Sequence, residues 1–168
     1  LVEQTKPKRY IKIKKPIEVA LDGKFAMILP HPKQKISYTI SFAHPVLRKQ
    51  HLSFNMDEDY FTRQIASART FGFLKDAETL KKMGLAKGVS LDNSIVIGEK
   101  RILNEKLRYN DECVRHKVLD FIGDVSLVGR PLIGHLIALR SGHMVNTLLC
   151  GKVKERSDSW ELVDGCDL

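Results

Sequence analysis

The sequence predicts an α+β domain in which helices pack on one side of a mostly antiparallel sheet. Strand-like patterns dominate the first third of the chain, where short apolar runs are separated by proline and glycine. Helical period dominates later, most clearly from residue 111 to 125. Strands first and helices interspersed are typical of this class, because a sheet with one apolar face needs a covering layer of helices.

Five strands are predicted before residue 55. Prolines and an Asp-Gly pair separate them, and they span residues 9–14, 17–21, 24–29, 36–42 and 51–54. In the first strand, lysines alternate with Tyr10, Ile11 and Ile13. This alternation indicates a strand with lysines on its solvent side, a usual guard against edge-to-edge pairing.

The predicted helices carry ordinary start signals. Asp57 is a good N-cap, and Glu58 and Asp59 suit the positive end of the helix dipole, so a helix is expected from Glu58 to Ala68. The remaining predicted elements are a short helix at 76–83, strands at 94–98 and 101–103, a helix at 111–125, a strand at 132–139 and a helix at 143–152. The final stretch, residues 155–168, lacks period and is acidic, and it is predicted to be a tail outside the domain of residues 1–154.

The helix at 111–125 has two distinct faces. Its apolar residues repeat at i, i+4, i+7, i+8 and i+11 and predict a core face made of Val114, Val118, Phe121, Ile122 and Val125. His116, Asp120 and Asp124 follow one another at i+4 steps on roughly the opposite face, with Lys117 alongside. That polar face is the candidate for chemistry.

A His and an Asp one turn apart can offer a nitrogen and an oxygen ligand to one metal ion. The same spacing also occurs on solvated helix faces, where a His–Asp contact contributes only a few tenths of a kcal/mol. His143 follows Ser141-Gly142, where a strand gives way to a helix. This is a common place for a functional side chain, although a histidine at a helix start is equally consistent with the pattern.

Composition excludes several classes of protein. The net charge of +8 would suit a nucleic acid, a membrane surface or a phosphorylated ligand, but only 7% of the residues are aromatic and no nucleic-acid motif accompanies the charge. No apolar run approaches the roughly 20 residues that span a bilayer. Cys113, Cys150 and Cys166 are odd in number and lack metal-site spacing, which fits a reducing compartment and a cytoplasmic location.

Four segments together carry a resemblance to a known family. They are ARTFGF at 68–73, LNEKLRYNDE at 103–112, VRHKVLDFIGD at 114–124 and SGHMVN at 141–146. In order and spacing the chain resembles the second domain of the UDP-3-O-acyl-N-acetylglucosamine deacetylases, zinc amidohydrolases that commit bacteria to lipid A synthesis. The resemblance implies a two-layer sandwich fold. Since the chain begins with Leu1, it is also expected to be a fragment or a processed product.

The resemblance implies roles for individual residues. His116 and Asp120 would be zinc ligands, and His143, oriented by Asp124, would be a protonated group that donates to the leaving amine. Lys117 would complete the positive pocket and contact the diphosphate of the substrate, and Thr70 would stabilise the oxyanion. The third zinc ligand and the general base would belong to a first domain that is missing from the chain, so this chain is expected to supply half an active site and to be inactive alone.

Further residues are implied to bind the substrate. Phe71 would border the substrate site, and a hydrophobic passage for the fatty acyl chain would be lined by Leu74, Ala77, Ser90, Ser94 and Val96. Val89 stands where the family commonly has a second glycine. The alternative to an enzyme half is a non-catalytic module that binds a nucleotide-sugar or an acidic partner through its basic surface.

Overall fold

The computed structural model describes residues 6–84 and 87–165. The strands are β1 (Arg9–Ile13), β2 (Ile17–Leu21), β3 (Lys24–Leu29), β4 (Lys35–Ser41), β5 (Lys49–Asn55), β6 (Thr70–Phe73), β7 (Ser94–Ile97), β8 (Leu132–Ile133), β9 (His135–Leu139) and β10 (Trp160–Asp164). The α-helices are α1 (Glu58–Tyr60), α2 (Ala77–Lys82), α3 (Glu112–Val125) and α4 (His143–Glu155). Among the described residues, no helix is both long and apolar enough to cross a membrane.

A five-stranded sheet forms one layer of the molecule. Its order is β2-β3-β9-β4-β5, and every neighbouring pair is antiparallel except β4 with β9. Helices α3 and α4 contact each other and pack against strands of this sheet. The buried residues alternate along β3 and β4, which leaves one face of each strand for the helices. The predicted α+β architecture, with helices on one side of a mostly antiparallel sheet, is confirmed.

The predicted strand at 132–139 is in fact two strands. Gly134 separates β8, which pairs with β1, from β9, which joins the large sheet. A Cβ atom at Gly134 would lie 2.8 Å from the carbonyl oxygen of Leu29 and 2.9 Å from Cγ1 of Ile28. Only glycine allows the backbones to approach so closely while the chain passes from one sheet to the other.

The acidic end of the chain contains a strand that the sequence pattern missed. β10 pairs antiparallel with β1 along its whole length, and β1 lies between β10 and β8 in a three-stranded sheet. The first strand is therefore confirmed, but its lysines do not guard an edge. Instead, Lys14 forms an ion pair with Glu161 at 3.2 Å and Lys15 with Asp158 at 3.2 Å, so the basic strand lies beside acidic residues.

The segment between the large sheet and α3 forms a small insert. β6 and β7 run parallel, with a 3₁₀ turn (Leu74–Asp76) and α2 between them. The helix expected from Glu58 to Ala68 ends earlier, because α1 continues as a π-helical turn over Phe61–Ile65. The strand expected at 101–103 is only a single bridge between Ile102 and Ile97.

Candidate functional site

Helix α3 carries most of the candidate site. Val114, Val118 and Phe121 are fully buried, so the predicted core face of the helix is turned to the sheet. Tyr38 of β4 packs its ring edge-on against Phe121, with ring centroids 5.5 Å apart. This packing sets the rotation of the helix and directs its polar face away from the sheet.

His116, Lys117 and Asp120 form one polar cluster on α3. Nε2 of His116 lies 3.4 Å from Oδ1 of Asp120, and Nζ of Lys117 donates to Oδ2 of Asp120 at 2.6 Å. The side chains of His116 and Asp120 are 17% and 19% exposed. The cluster reaches the surface, but it is more covered than a solvated helix face would be.

The imidazole of His116 is oriented by the backbone of a distant segment. Its Nδ1 lies 3.2 Å from the carbonyl oxygen of Ala68. Because a carbonyl only accepts hydrogen bonds, Nδ1 donates this bond, and Nε2 is the ring nitrogen that faces Asp120. Nε2 and the neighbouring Asp120 carboxylate could therefore bind one metal ion. In protein metal sites, the second ring nitrogen of a ligand histidine is usually held by a hydrogen bond of this kind.

His143 and Asp124 form a second cluster, one turn further along α3. Nδ1 of His143 lies 2.8 Å from Oδ2 of Asp124, although the two residues are 19 apart in sequence. His143 begins α4 and its side chain is 69% exposed. The carboxylate holds one ring nitrogen, and within residues 6–84 and 87–165 the other has no hydrogen-bond partner.

Asn146 is a partner of Asp124 that the sequence reasoning missed. It is fully buried, and its Nδ2 donates to Oδ2 of Asp124 at 2.8 Å. The hydroxyl of Ser141 donates to the side-chain carbonyl of Asn146, and Tyr38 donates to the carbonyl of Ser141 at 2.8 Å. The sequence held one signal for this role, because Asn146 stands three residues after His143 and so shares a face of α4 with it.

A buried ion pair beside the site was also missed. Glu112, in the first turn of α3, is fully buried and accepts hydrogen bonds from Nε of Arg69 at 2.9 Å and from Nη2 of Arg69 at 3.1 Å. Burial raises the pKa of the Glu112 carboxyl, but hydrogen bonds from the Arg69 side chain and from the backbone N–H groups of Arg69 and Arg108 outweigh it. The net result is a pKa below the ordinary value, so the group is ionised.

The predicted substrate-site residues begin directly after this pair. Thr70 is exposed at the start of β6, and the ring of Phe71 meets the ring of His116 edge-on, with centroids 6.5 Å apart. Phe71 is thus beside the polar cluster. The roles of Thr70 and Phe71 toward a substrate stay predictions.

The residues predicted to line an acyl passage lie on the insert. Register pairs Thr70 with Ser94 and Gly72 with Val96, while Leu74 and Ala77 follow β6 in the 3₁₀ turn and α2. Ser94 is buried, and its hydroxyl donates to the carbonyl of Ser90 at 2.7 Å. A groove of about 470 Å³ on the insert includes Leu74 but none of the other four in its lining. The passage therefore stays a prediction.

The two polar clusters do not complete a metal centre within the described chain. Within residues 6–84 and 87–165, no group of three or more His, Cys, Asp or Glu side chains is arranged to hold one metal ion. Cys113 and Cys150 are buried, free thiols, and burial raises the pKa of Cys113 to about 12. The third cysteine, Cys166, lies outside the described residues. Any further ligand would have to come from beyond this part of the chain.

Comparison with known proteins gives consistent matches. The model of the family described as UDP-3-O-acyl N-acetylglycosamine deacetylase matches residues 1–155. Proteins named UDP-3-O-acyl-N-acetylglucosamine deacetylase are similar to the chain: one from Syntrophus aciditrophicus is 44% identical over 158 residues, and one from Legionella pneumophila (strain Corby) is 48% identical over 162 residues. The matches cover 94% and 95% of this chain but 50% and 53% of those relatives. The chain thus spans about half the length of the curated relatives it matches.

Proposed function

Because the chain belongs to the UDP-3-O-acyl N-acetylglycosamine deacetylase family, we propose that it supplies half of a zinc-dependent active site. The reaction would be hydrolysis of the N-acetyl group of UDP-3-O-acyl-N-acetylglucosamine, which releases acetate and a free amine. The observation that carries the proposal is a pair of clusters one turn apart along α3: His116 with Asp120 on α3 itself, and Asp124 of α3 with His143 of α4.

The first cluster fits a zinc ion. Tetrahedral zinc holds nitrogen and oxygen ligands at about 2.0–2.2 Å, which separates two of them by about 3.3–3.6 Å. Nε2 of His116 and Oδ1 of Asp120 are 3.4 Å apart. Zinc bound by these two atoms would supply a water of lowered pKa (~7) and would polarise the amide carbonyl.

The second cluster supplies the proton for the leaving group. Asp124 holds Nδ1 of His143, so the ring is oriented with Nε2 available to the substrate. A protonated His143 would donate from Nε2 to the amine nitrogen as the C–N bond breaks. Asn146, which donates to the same carboxylate oxygen, keeps Asp124 in place for this role.

Lys117 and Thr70 would act on the negative charges of the reaction. Thr70, exposed at the start of β6, would donate to the developing oxyanion. Nζ of Lys117 is paired with Asp120 at 2.6 Å, so it offsets the charge of that carboxylate. Contact with the diphosphate of the substrate would require Lys117 to exchange this partner. Along the insert, Phe71, Leu74, Ala77, Ser90, Ser94 and Val96 would receive the sugar and the acyl chain.

The proposed partner is a first domain that contributes the third zinc ligand and the general base. A catalytic zinc site ordinarily has three protein ligands, and this chain offers two. Exposed apolar side chains beside His143 support such a partner, because Met144 is 67% exposed and Leu148, one turn later on α4, is 48% exposed. An interdomain contact would cover such a surface.

The test is a deacetylase assay on the acylated UDP-N-acetylglucosamine. The chain is assayed alone and mixed with a first domain from the same family, with and without a chelator. We expect activity only in the mixture, abolished by chelator and by His116→Ala. His51→Ala is the matched control, because His51 is exposed on β5 and bonds to Thr39 instead of to either cluster.

Two outcomes would contradict the proposal. Activity of the chain alone would mean that the third ligand and the base lie within it. An inactive mixture whose halves associate and bind zinc would favour the alternative, a non-catalytic module that binds a nucleotide-sugar or an acidic partner.

A further inference from the structure

The buried carboxylate of Glu112 is joined to the His116 ring through a single peptide unit. Oε1 of Glu112 accepts a hydrogen bond from the backbone N–H of Arg69 at 3.0 Å. That N–H belongs to the same peptide unit as the carbonyl of Ala68, which accepts from Nδ1 of His116. The unit is trans and planar, so its N–H and C=O point in opposite directions and turn together.

Helical spacing makes this bridge possible. Glu112 and His116 stand at i and i+4 on α3, so their side chains leave the same face one turn apart. The 68–69 peptide unit lies across both of them, with its N–H toward Glu112 and its C=O toward His116. Any rotation that frees the N–H from the carboxylate also turns the carbonyl away from the imidazole.

The Glu112 carboxylate accepts several hydrogen bonds, and these fix the position of the 68–69 peptide unit. Besides the Arg69 backbone N–H, it accepts from Nε and Nη2 of Arg69 and from the backbone N–H of Arg108 at 2.7 Å. A buried ion pair of this kind contributes little net stability compared with apolar side chains of similar size. Its more specific effect here is positional, because it connects the backbone N–H groups of Arg69 and Arg108 and the guanidinium of Arg69 to one residue of α3.

We propose that Glu112 is a positioning residue for metal binding: through Arg69 and the 68–69 peptide unit it holds the Ala68 carbonyl on Nδ1 of His116. This hydrogen bond fixes the orientation of the ring, with Nδ1 on the Ala68 carbonyl and Nε2 directed toward Asp120. The hydrogen bond from the Arg69 backbone N–H to Glu112 also fixes the backbone just before β6, where Thr70 is exposed. The role in metal binding rests on the proposed function, but the hydrogen bonds themselves are present in the metal-free chain.

The test reads the tautomer of His116 in the metal-free chain by long-range ¹H–¹⁵N NMR. The spectrum is recorded at about pH 8, where histidines are mostly neutral, and His116→Asn assigns the resonance. We expect a protonated Nδ1, because it donates to the Ala68 carbonyl. In Glu112→Gln the charge is lost and the two nitrogen shifts should move toward each other, because both tautomers become populated.

Arg115→Gln is the matched control. Arg115 is also a part-buried arginine partner of a carboxylate on this side of α3, but its guanidinium bonds to Asp111 and Gln64 and stacks on Tyr109. The tautomer of His116 should not change in this variant. An equal change in Arg115→Gln would mean that general loosening, and not the Glu112 bridge, sets the tautomer.

Three results would overturn the proposal. They are an Nδ1 without a proton in the wild-type chain, a wild-type tautomer retained in a folded Glu112→Gln, and the same retention in Glu112→Asp, which keeps the charge but withdraws the carboxylate. If neither variant folds, an Nδ1 without a proton in the wild-type spectrum still overturns the proposal.

Zinc affinity separates this inference from the proposed function. With both halves mixed, Glu112→Gln should weaken zinc binding roughly 10–100-fold in competition with a chromophoric chelator. Unchanged zinc affinity in a folded Glu112→Gln mixture contradicts the inference. If the wild-type mixture binds no zinc while the tautomer result holds, the proposed function fails and the positioning of His116 stands.

Discussion

At the scale of single residues, the site depends on buried partners that are far away in sequence. Asp124 is held by Asn146, 22 residues later, and Glu112 holds Arg69, 43 residues earlier. Neither partner would touch a substrate in the proposed reaction. Each one restricts the rotation of a group in the proposed site, which is how a site on a surface helix keeps its geometry.

Asn146→Ala tests the buried partner of Asp124. The change leaves the carboxylate short of a donor and the Ser141 hydroxyl short of an acceptor, so the free energy of unfolding should fall by about 1–3 kcal/mol. Urea unfolding measures the change. Thr147→Ala is the control, because the Thr147 hydroxyl bonds only to carbonyls of its own helix, and a change within about 0.5 kcal/mol is expected. An equal loss in both variants would contradict the role of Asn146.

Glu112 also predicts the pH dependence of stability. Its folded pKa lies below the ordinary 4.5, so the ionised form is favoured in the folded state. This contribution is fully present above the unfolded pKa and is lost as pH falls through the folded pKa. The free energy of unfolding, measured in urea at several pH values below about 5, should therefore fall less steeply in Glu112→Gln than in wild type. Glu18→Gln, an exposed change on β2, should not reproduce the effect.

At the scale of elements, Gly134 decides how the strands are assembled. The chain crosses from the three-stranded to the five-stranded sheet at this residue, against the backbone of β3. The crossing places β9 between β3 and β4, and α4 follows β9 with His143 as its first residue. The position of one candidate functional residue thus depends on a close backbone approach.

Gly134→Ala should destabilise the fold by about 1–3 kcal/mol, since the added Cβ must displace backbone or side-chain atoms of β3. The measurement is the midpoint and slope of urea unfolding. Gly151→Ala is matched to it: Gly151 lies within α4 with no atom within 4 Å of an added Cβ. That variant should gain up to about 1 kcal/mol from helix propensity. A neutral Gly134→Ala would mean that the crossing does not need glycine.

At the scale of the whole molecule, the two clusters lie on the helical side of the sheet together with exposed apolar residues of α4. Helices α3 and α4 pack against the five-stranded sheet, and Phe71 of the insert contacts His116. Met144 and Leu148 are exposed on the helix that starts with His143. This side of the molecule is the one on which the proposed first domain would complete the zinc site.

Leu148→Lys should weaken association with the first domain by at least about tenfold, because a buried, unpaired charge would replace apolar contact area. Titration calorimetry of the two halves gives the affinity. Leu162→Lys, a similarly exposed leucine of β10 on the three-stranded sheet, is the control and should bind normally. Equal weakening in both variants, or none in Leu148→Lys, would contradict the proposed interface.

Much of the fold could be predicted from local pattern. The 3.6-residue period of Val114, Val118 and Phe121 predicted both α3 and its core face, and short apolar runs separated by proline and glycine predicted β1 to β5 within a few residues. The π-helical turn at Phe61–Ile65 and the break at Gly134 were not predicted. Both depend on the packing of neighbouring segments and leave no periodic signal of their own.

The strand β10 shows where composition misled the prediction. The acidic residues of this stretch look like a tail, yet Glu161 in β10 and Asp158 just before it pair with lysines that stand more than 140 residues earlier. Charge complementarity between two distant segments is not visible in either segment alone. The same holds for the orientation of His116, which depends on a peptide unit 48 residues away.

The sequence by itself determined the helical face that carries His116, Lys117, Asp120 and Asp124, because i+4 spacing and an apolar stripe are local properties. Through its resemblance to the family it also indicated His143 as the partner of Asp124. Only the tertiary structure decided which nitrogen of His116 is held, that Asn146 and Glu112 orient the site, and that β10 completes a sheet. These features arise from contacts between segments far apart in the chain, whose positions follow from packing of the whole core.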